Sequence, residues 1–274
     1  MEKQFIVDTH MHYGTDPAVA EDTCVPYMHY GNGASVIRCL DEQHADWGVL
    51  FPHDRPMNPP VDTAYEKANE EVAKVRLSYP DRIIAAARIN PLFGAKATYR
   101  QLDRCAGEWG FSGVKLVASY DQYAASDIKV LAPVFEKAEE YDLTVLFHSG
   151  DSHKDMPALQ AFVAKHFPKV RIVMAHIGGH EGLREAIIAC QENENLYCDM
   201  AQAWPYDIKC FVRKVGAHRL TYGSDVPYQS PAVEQLKLKV IGMTQEQENE
   251  VFGGTARRIW RIDHLEKALA NKKG

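Results

Sequence analysis

The chain contains 274 residues, of which 46% are apolar and 25% are charged, which is close to the average for a folded soluble protein. This composition excludes a disordered or collagen-like chain and allows a large core. Its 37 acidic and 31 basic residues give a net charge of -6. Because no block of Lys and Arg could neutralise a run of phosphates, nucleic acid is not an expected partner.

The apolar stretches are too short to cross a membrane. The longest, such as residues 83–87 and 186–190, contain five residues, whereas a membrane helix needs about 20. The chain starts without an apolar signal region, which predicts a cytoplasmic protein with reduced thiols. Its six cysteines are scattered without a Cys-x-x-Cys pair, so we interpret them as buried apolar side chains.

Short apolar segments alternate with longer segments of helical spacing. Eight of the short segments are predicted strands, at residues 5–8, 47–51, 83–89, 113–117, 143–147, 170–175, 196–198 and 220–222. Helical spacing is found at residues 62–79, 95–105, 129–141 and 181–190, and in a C-terminal segment at 244–262 that we expect to pack outside the sheet.

The strands recur about every 31 residues, which is the size of one βαβ unit. Neither Gly-x-Gly-x-x-Gly nor a Walker-type loop follows any of them, so the pattern favours a closed (β/α)8 TIM barrel of the α/β class over an open doubly wound sheet. We expect a single domain over residues 1–274, with a long first βα loop at residues 13–33 that covers the mouth of the barrel.

Ligand-type residues lie at the carboxyl ends of four predicted strands. His10 and His12 end the first strand on one side of it, about 6 to 7 Å apart. His148 ends the fifth strand, His176 ends the sixth, and Asp225 follows the eighth. In a barrel these ends meet at one face. Imidazoles with one carboxylate suit one Zn²⁺ that keeps an open coordination position for water or substrate. Mn²⁺ in place of Zn²⁺, and a second metal ion, are the alternatives.

These motifs resemble those of the amidohydrolase superfamily. The supporting segments, which span nearly the whole chain, are His10-Met11-His12, Phe147-His148-Ser149-Gly150, Ala175-His176-Ile177-Gly178-Gly179 and Tyr222-Gly223-Ser224-Asp225. The resemblance is specifically to the amidohydrolase-2 group of metal-dependent hydrolases and decarboxylases, which includes proteins similar to aminocarboxymuconate-semialdehyde decarboxylase.

The resemblance implies that His10, His12, His148 and Asp225 bind metal, and that His176 polarises substrate, aids proton transfer or binds a second ion. A divalent ion lowers the pKa of bound water to about 7, and Asp225 can accept the proton and return it to a leaving group. We therefore expect hydrolysis of an amide, ester or lactone bond in a small molecule.

Two other functions stay open. In related decarboxylases the same metal binds an aromatic or unsaturated carboxylic acid, and proton delivery to carbon precedes the loss of CO₂. The ligand set does not separate this lyase chemistry from hydrolysis. A non-catalytic barrel that keeps the metal for binding or stability is the third reading. The sequence leaves the substrate and a homo-oligomeric state undetermined.

Four further residues are candidates for substrate binding. Lys115, on the fourth strand, is read as a salt-bridged barrel lysine, an anion-binding lysine or a carboxylated metal bridge. His53 and Arg55 follow the second strand, and Arg88 lies on the third. Paired N–H donors would let either arginine hold a substrate carboxylate. Salt bridges at the surface or between loops are the competing interpretation for each.

Overall fold

The computed structural model describes residues 3–14, 21–53 and 64–273. In this part of the chain, eight parallel strands form one sheet in the order β1 to β8. The strands are Val7–Tyr13 (β1), Trp47–Pro52 (β2), Ile83–Arg88 (β3), Gly113–Leu116 (β4), Thr144–Phe147 (β5), Ile172–Met174 (β6), Leu196–Asp199 (β7) and Leu220–Thr221 (β8). Each overlaps one predicted strand, so the predicted α/β barrel is confirmed.

Helices follow the strands on the outside of the sheet. Those described are Gly33–Glu42 (α1), Glu66–Ser78 (α2), Ala95–Leu102 (α3), Ala118–Asp121 (α4), Ile128–Glu140 (α5), Pro157–His166 (α6), Gly179–Glu192 (α7), Pro205–Lys214 (α8), Pro231–Val240 (α9), Gln245–Asn249 (α10), Thr255–Ile259 (α11) and Ile262–Lys273 (α12). None of the described helices is long and apolar enough to span a membrane.

The last strand meets the first and brings the sheet round into a barrel. The backbone N–H of Thr9 donates to the Tyr222 carbonyl at 3.0 Å, and that of His12 donates to the Val226 carbonyl at 2.8 Å. Met11 and Val226 also form a parallel bridge. The residues that follow β8 are therefore held against the carboxyl end of β1.

A bulge in β1 decides which way its histidines point. Asp8 pairs with Gly48 and Met11 with Leu50, so two residues of β1 oppose one residue of β2. Val7 packs in the inner core of the barrel, whereas Met11 packs in the outer layer under the helices. Because a one-residue slip exchanges the two faces of a strand, the bulge turns the even-numbered His10 and His12 inward.

Apolar side chains fill the barrel below the mouth. The inner layer includes Val49, Phe51, Ile84, Leu146 and Val173, and Trp260 packs in the same cluster. The strands read as nearly continuous apolar runs because helices cover the opposite face of the sheet. Phe51 of this layer packs against the rings of His10 and His12, so the polar cluster at the carboxyl ends of the strands lies directly on the apolar filling.

The C-terminal region differs from its prediction. Residues 244–262 do not form one helix: α10 passes into a π-helical segment at Glu250–Gly254, and α11 follows. Arg261, with φ of 53°, then turns the chain into α12, which was not predicted. Gly253 in this segment allows a close approach to Phe5, because a Cβ there would come within 2.6 Å of that residue. Of the predicted first loop, residues 15–20 lie outside the described residues.

Candidate metal centre

His10 and His12 lie side by side at the carboxyl end of β1. Both imidazoles are buried, and their ring centroids are 5.1 Å apart. Phe51 on β2 packs edge-on against both rings, at 5.2 Å from His10 and 4.7 Å from His12. The two imidazoles predicted from the spacing are thus brought together inside the barrel.

Asp225 faces both of these histidines. Its Oδ1 atom lies 3.1 Å from Nε2 of His10 and 3.1 Å from Nε2 of His12, while Gln202 donates to Oδ2. Asp225 has a left-handed backbone, with φ of 58°, and its N–H donates to the His10 carbonyl at 2.9 Å. The close approach requires a glycine, because a Cβ at Gly223 would lie 2.8 Å from the His10 Cβ.

Asp199, at the end of β7, holds the other side of His10. Its Oδ2 accepts from Nδ1 of His10 at 2.8 Å, and Oδ1 accepts the backbone N–H groups of His176 and Ala201, each at 3.0 Å. A carboxylate can only accept, so His10 carries its hydrogen on Nδ1 and directs Nε2 towards Asp225. Asp199 is not among the residues predicted from the sequence, although its place directly after the predicted seventh strand is a usable signal.

His176 joins the cluster from the turn after β6. It has a left-handed backbone, with φ of 60°, and its Nδ1 donates to the Ala201 carbonyl at 2.9 Å. Its ring centroid is 5.0 Å from those of His10 and His148. Burial is the main cause that lowers the pKa of His176 to about 4, so the ring is neutral at pH 7.

His148, which the resemblance implies is a metal ligand, bonds a carboxylate at the mouth of the barrel. Its Nε2 lies 2.8 Å from Oδ2 of Asp151, whose side chain is 61% exposed at the mouth. Among the described residues, two sets of ligand atoms lie within 4.8 Å of one another: His10, His12 and Asp225, and His10, His176 and Asp199. His148 belongs to neither set. The carboxylate of Asp151 competes for the nitrogen that a metal would need.

Lys115 is fully buried beside the cluster. Its Nζ lies 3.1 Å from Nε2 of His10 and 4.8 Å from the centroid of the Phe51 ring. Burial and this nearby charge lower the pKa of His10, but Asp199 and Asp225 outweigh them and raise it to about 9. The side chain of Lys115, predicted on the fourth strand, therefore lies inside the candidate site.

The other three candidates for substrate binding differ in whether they reach the cluster. His53 reaches the cluster, with its ring 6.0 Å from that of His12. Arg88 instead makes a buried ion pair with Asp121 at 2.7 Å and a hydrogen bond to the Tyr65 hydroxyl at 3.1 Å. These contacts favour the salt-bridge interpretation of Arg88 over a substrate contact. Arg55 lies outside the described residues.

The donor set fits a divalent cation. Two imidazole nitrogens and one carboxylate converge with little solvent around them, which suits a borderline metal such as Zn²⁺ or Mn²⁺. Burial raises the pKa of Asp225, but His10 and His12 hold it well below its usual range. The Nδ1–H of His10 donates to Asp199, which is the support that metal-bound histidines ordinarily have. Three protein ligands are typical of catalytic sites.

A barrel with such donors at the carboxyl face belongs to the class of metal-dependent barrel enzymes. The family comparison is more specific: a model of the amidohydrolase family Amidohydro_2 matches residues 7–262. The chain belongs to this family, as the sequence motifs indicated. No curated protein sequence matches the chain.

Solved structures with the same fold include decarboxylases and a hydratase. The 2,6-dihydroxybenzoate decarboxylase from Rhizobium has a TM-score of 0.74 at 16% identity and covers 95% of this chain and 100% of its own. The 5-carboxyvanillate decarboxylase from Novosphingobium aromaticivorans, complexed with manganese and a nitrobenzoic acid, has a TM-score of 0.71 at 16% identity; the match covers 94% of this chain and 96% of that one. The 4-oxalomesaconate hydratase from Rhodopseudomonas palustris has a TM-score of 0.71 at 19% identity; the match covers 98% of this chain and 100% of that one.

Proposed function

We propose that this protein is a metal-dependent decarboxylase that acts on a small aromatic or unsaturated carboxylic acid. The His10, His12 and Asp225 donor set at the mouth of this family's barrel supports a metal-dependent enzyme, and the similarity to solved decarboxylases is the observation that favours decarboxylation over hydrolysis. Structures with the same fold are decarboxylases of benzoic acids, one of them crystallised with manganese. This reverses the order of our sequence-based expectation, in which hydrolysis came first.

His10, His12 and Asp225 would hold the ion, with His148 as a further ligand if it leaves Asp151. The bound cation would supply positive charge to draw the substrate's oxygens into place; Zn²⁺ and Mn²⁺ both suit these donors. Asp199 keeps Nε2 of His10 directed at the centre. Lys115, 3.1 Å from that nitrogen, is placed to attract the substrate anion.

In the chemical step, a proton replaces the carboxylate group of the substrate, which leaves as CO₂. A π electron pair of the substrate takes up a proton at the carbon that bears the carboxylate, and the C–C bond then breaks so that its electron pair restores the π system and CO₂ leaves. Asp225 is the proposed proton carrier, since its carboxylate lies at the centre and Gln202 orients it; it is ionised at rest, so it first accepts a proton from water or from a substrate hydroxyl and then delivers that proton to carbon. His176, neutral and held by Ala201, is placed to bind a substrate oxygen.

Hydrolysis of an amide, ester or lactone is the second candidate. Membership of an amidohydrolase family favours it, and the hydratase among the similar structures is named for the addition of water. In that case Asp225 would accept a proton from water and return it to the leaving group.

A parallel assay separates the two candidates. The Mn²⁺- and Zn²⁺-loaded protein is incubated with a panel of aromatic and unsaturated acids in D₂O, beside lactones and amides. We expect CO₂ release with one deuterium at the former carboxyl carbon. Cleavage of lactones or amides without CO₂ release would replace the proposal with hydrolysis.

Asp225→Asn tests whether the candidate site performs the reaction. We expect turnover to fall at least about 100-fold with the fold retained, because the proton carrier is lost. Asp127→Asn is the matched control, since Asp127 caps α5 through Lys129 and Val130 and Asn caps a helix equally well. Full activity in Asp225→Asn would place the reaction at a different site, and a wild type that turns over neither kind of substrate would favour the non-catalytic barrel.

A further inference from the structure

Tyr228 and His53 meet beside His12, at the edge of the cluster formed by the loops after β8 and β2. The Tyr228 hydroxyl contacts Nε2 of His53. The ring centroid of Tyr228 lies 5.4 Å from that of His12 and 5.3 Å from that of His53. The pair therefore borders one of the proposed metal ligands and does not belong to the donor set itself.

Backbone hydrogen bonds fix both residues relative to the cluster. The N–H of Tyr228 donates to the Asp225 carbonyl at 3.0 Å, and the N–H of His53 donates to the Tyr13 carbonyl at 2.8 Å. Tyr13 is the residue that follows His12 on β1. With both backbones fixed and the Tyr228 hydroxyl in contact with Nε2 of His53, the hydroxyl is preorganised for recognition, because little motion is lost when a ligand binds.

The two members of the pair differ in their access to solvent. His53 is buried at 6% exposure, whereas Tyr228 is 39% exposed at the mouth. A phenol hydroxyl has one hydrogen to donate and can also accept. When Nε2–H of His53 donates to the hydroxyl oxygen, the hydroxyl hydrogen is directed to an acceptor other than His53. A ligand oxygen entering beside His12 is such an acceptor.

We propose that Tyr228 is a specificity-determining residue whose hydroxyl, oriented by His53, donates a hydrogen bond to an oxygen substituent of the acid substrate. The substituent is a hydroxyl, phenolate or second carboxylate near the reacting carboxyl group. The inference rests on the proposed function for the acid, but it concerns binding alone. A site built to hydrogen-bond a substrate oxygen discriminates strongly against the analogue that lacks it, since the polar groups are then left unpaired.

Binding of simple probes tests this role without turnover. Benzoate and 2-, 3- and 4-hydroxybenzoate are titrated by calorimetry into the Mn²⁺-loaded wild type, Tyr228→Phe and Tyr206→Phe. We expect wild type to bind at least one hydroxylated probe about tenfold more tightly than benzoate. In Tyr228→Phe the ratio of the two affinities should fall to about two or less, and the affinity for benzoate should stay nearly unchanged. Tyr206, 67% exposed on α8, is the matched control, and its variant should keep the wild-type ratio.

His53→Asn tests the positioning role. We expect it to lower the same ratio, and the double variant to be no worse than Tyr228→Phe, because the two residues act through one hydrogen bond. Thermal melting checks the fold of each variant, and His53→Asn carries the test if Tyr228→Phe does not fold. The inference is overturned if the wild type does not prefer a hydroxylated probe. It is also overturned if Tyr228→Phe keeps the wild-type preference or lowers the affinity for all probes equally.

The two proposals fail separately. A protein that releases no CO₂ from any acid but discriminates between the probes through Tyr228 loses the proposed function and keeps this inference. A protein that releases CO₂ while Tyr228→Phe keeps the wild-type ratio retains the function and loses the inference.

Discussion

Nδ1 of His10 and Oδ2 of Asp199 lie 2.8 Å apart, and neither side chain has any exposed surface. The two residues are 189 positions apart in the chain, on β1 and β7. His10 is also the residue common to both sets of clustered ligand atoms. The pair therefore sets the orientation of the imidazole on which the candidate metal site is centred.

Asp199→Asn should weaken metal binding by about 10- to 100-fold, since loss of a carboxylate that supports a metal-bound histidine has effects of this size. A competition titration with a chromogenic chelator measures the change. Asp207→Asn is the control, because Asp207 is also buried but bonds His180 at 3.0 Å, away from the cluster. Equal metal affinity in wild type and Asp199→Asn would contradict the proposed support.

Lys115→Met should strengthen metal binding by roughly tenfold, since it removes a positive charge 3.1 Å from Nε2 of His10. The same chelator competition measures the affinity, and mass spectrometry of the intact protein checks for an added carboxyl group. Lys96→Met, on α3, controls for the loss of one lysine charge at a distance. Weaker binding in Lys115→Met would instead support the carboxylated bridge.

Arg88→Ala should destabilise the fold by about 3–5 kcal/mol, because it leaves the Asp121 carboxylate buried without its cation. Chemical denaturation measures the loss. Arg100→Ala removes a comparable but exposed ion pair with Glu66 and should cost about 0–1 kcal/mol. If Arg88→Ala keeps wild-type stability but binds benzoate more weakly, Arg88 is a substrate contact, as the sequence analysis proposed.

Glu234→Gln should change how stability depends on pH. Glu234 is buried on α9 beside Lys237 at 2.6 Å, and burial raises its pKa from 4.5 to about 7. The folded state thus holds the proton more tightly than the unfolded state. The free energy of unfolding therefore falls as pH rises from about 4.5 to 7, and the loss is complete above pH 7.

We expect Glu234→Gln to be more stable than wild type by about 1–3 kcal/mol at pH 8 and equally stable near pH 4.5. Urea denaturation at a series of pH values measures the difference. Glu246→Gln, at an exposed position on α10, is the control and should follow wild type throughout. A constant difference between Glu234→Gln and wild type across this range would show that the effect is not due to ionisation.

The sequence by itself determined the fold and much of the candidate site. Apolar runs recurring at the length of a βαβ unit predict a barrel, and a barrel brings the carboxyl ends of its strands to one face. That reasoning predicted that His10, His12, His148, His176 and Asp225 lie near one another, and all of them except His148 belong to the two clustered sets of ligand atoms. It depends only on local pattern and on the geometry of parallel strands, which is why it succeeded.

Tertiary structure decided which partner each side chain has. The bulge in β1, which turns His10 and His12 inward, depends on the register with β2, and no local pattern in the sequence encodes that register. Arg88 on β3 meets Asp121 at the end of α4, 33 positions further along the chain, whereas His148 pairs with Asp151 in the loop after β5. A hydrogen bond needs partners within about 3 Å, and such distances between residues far apart in the chain exist only once the barrel has closed.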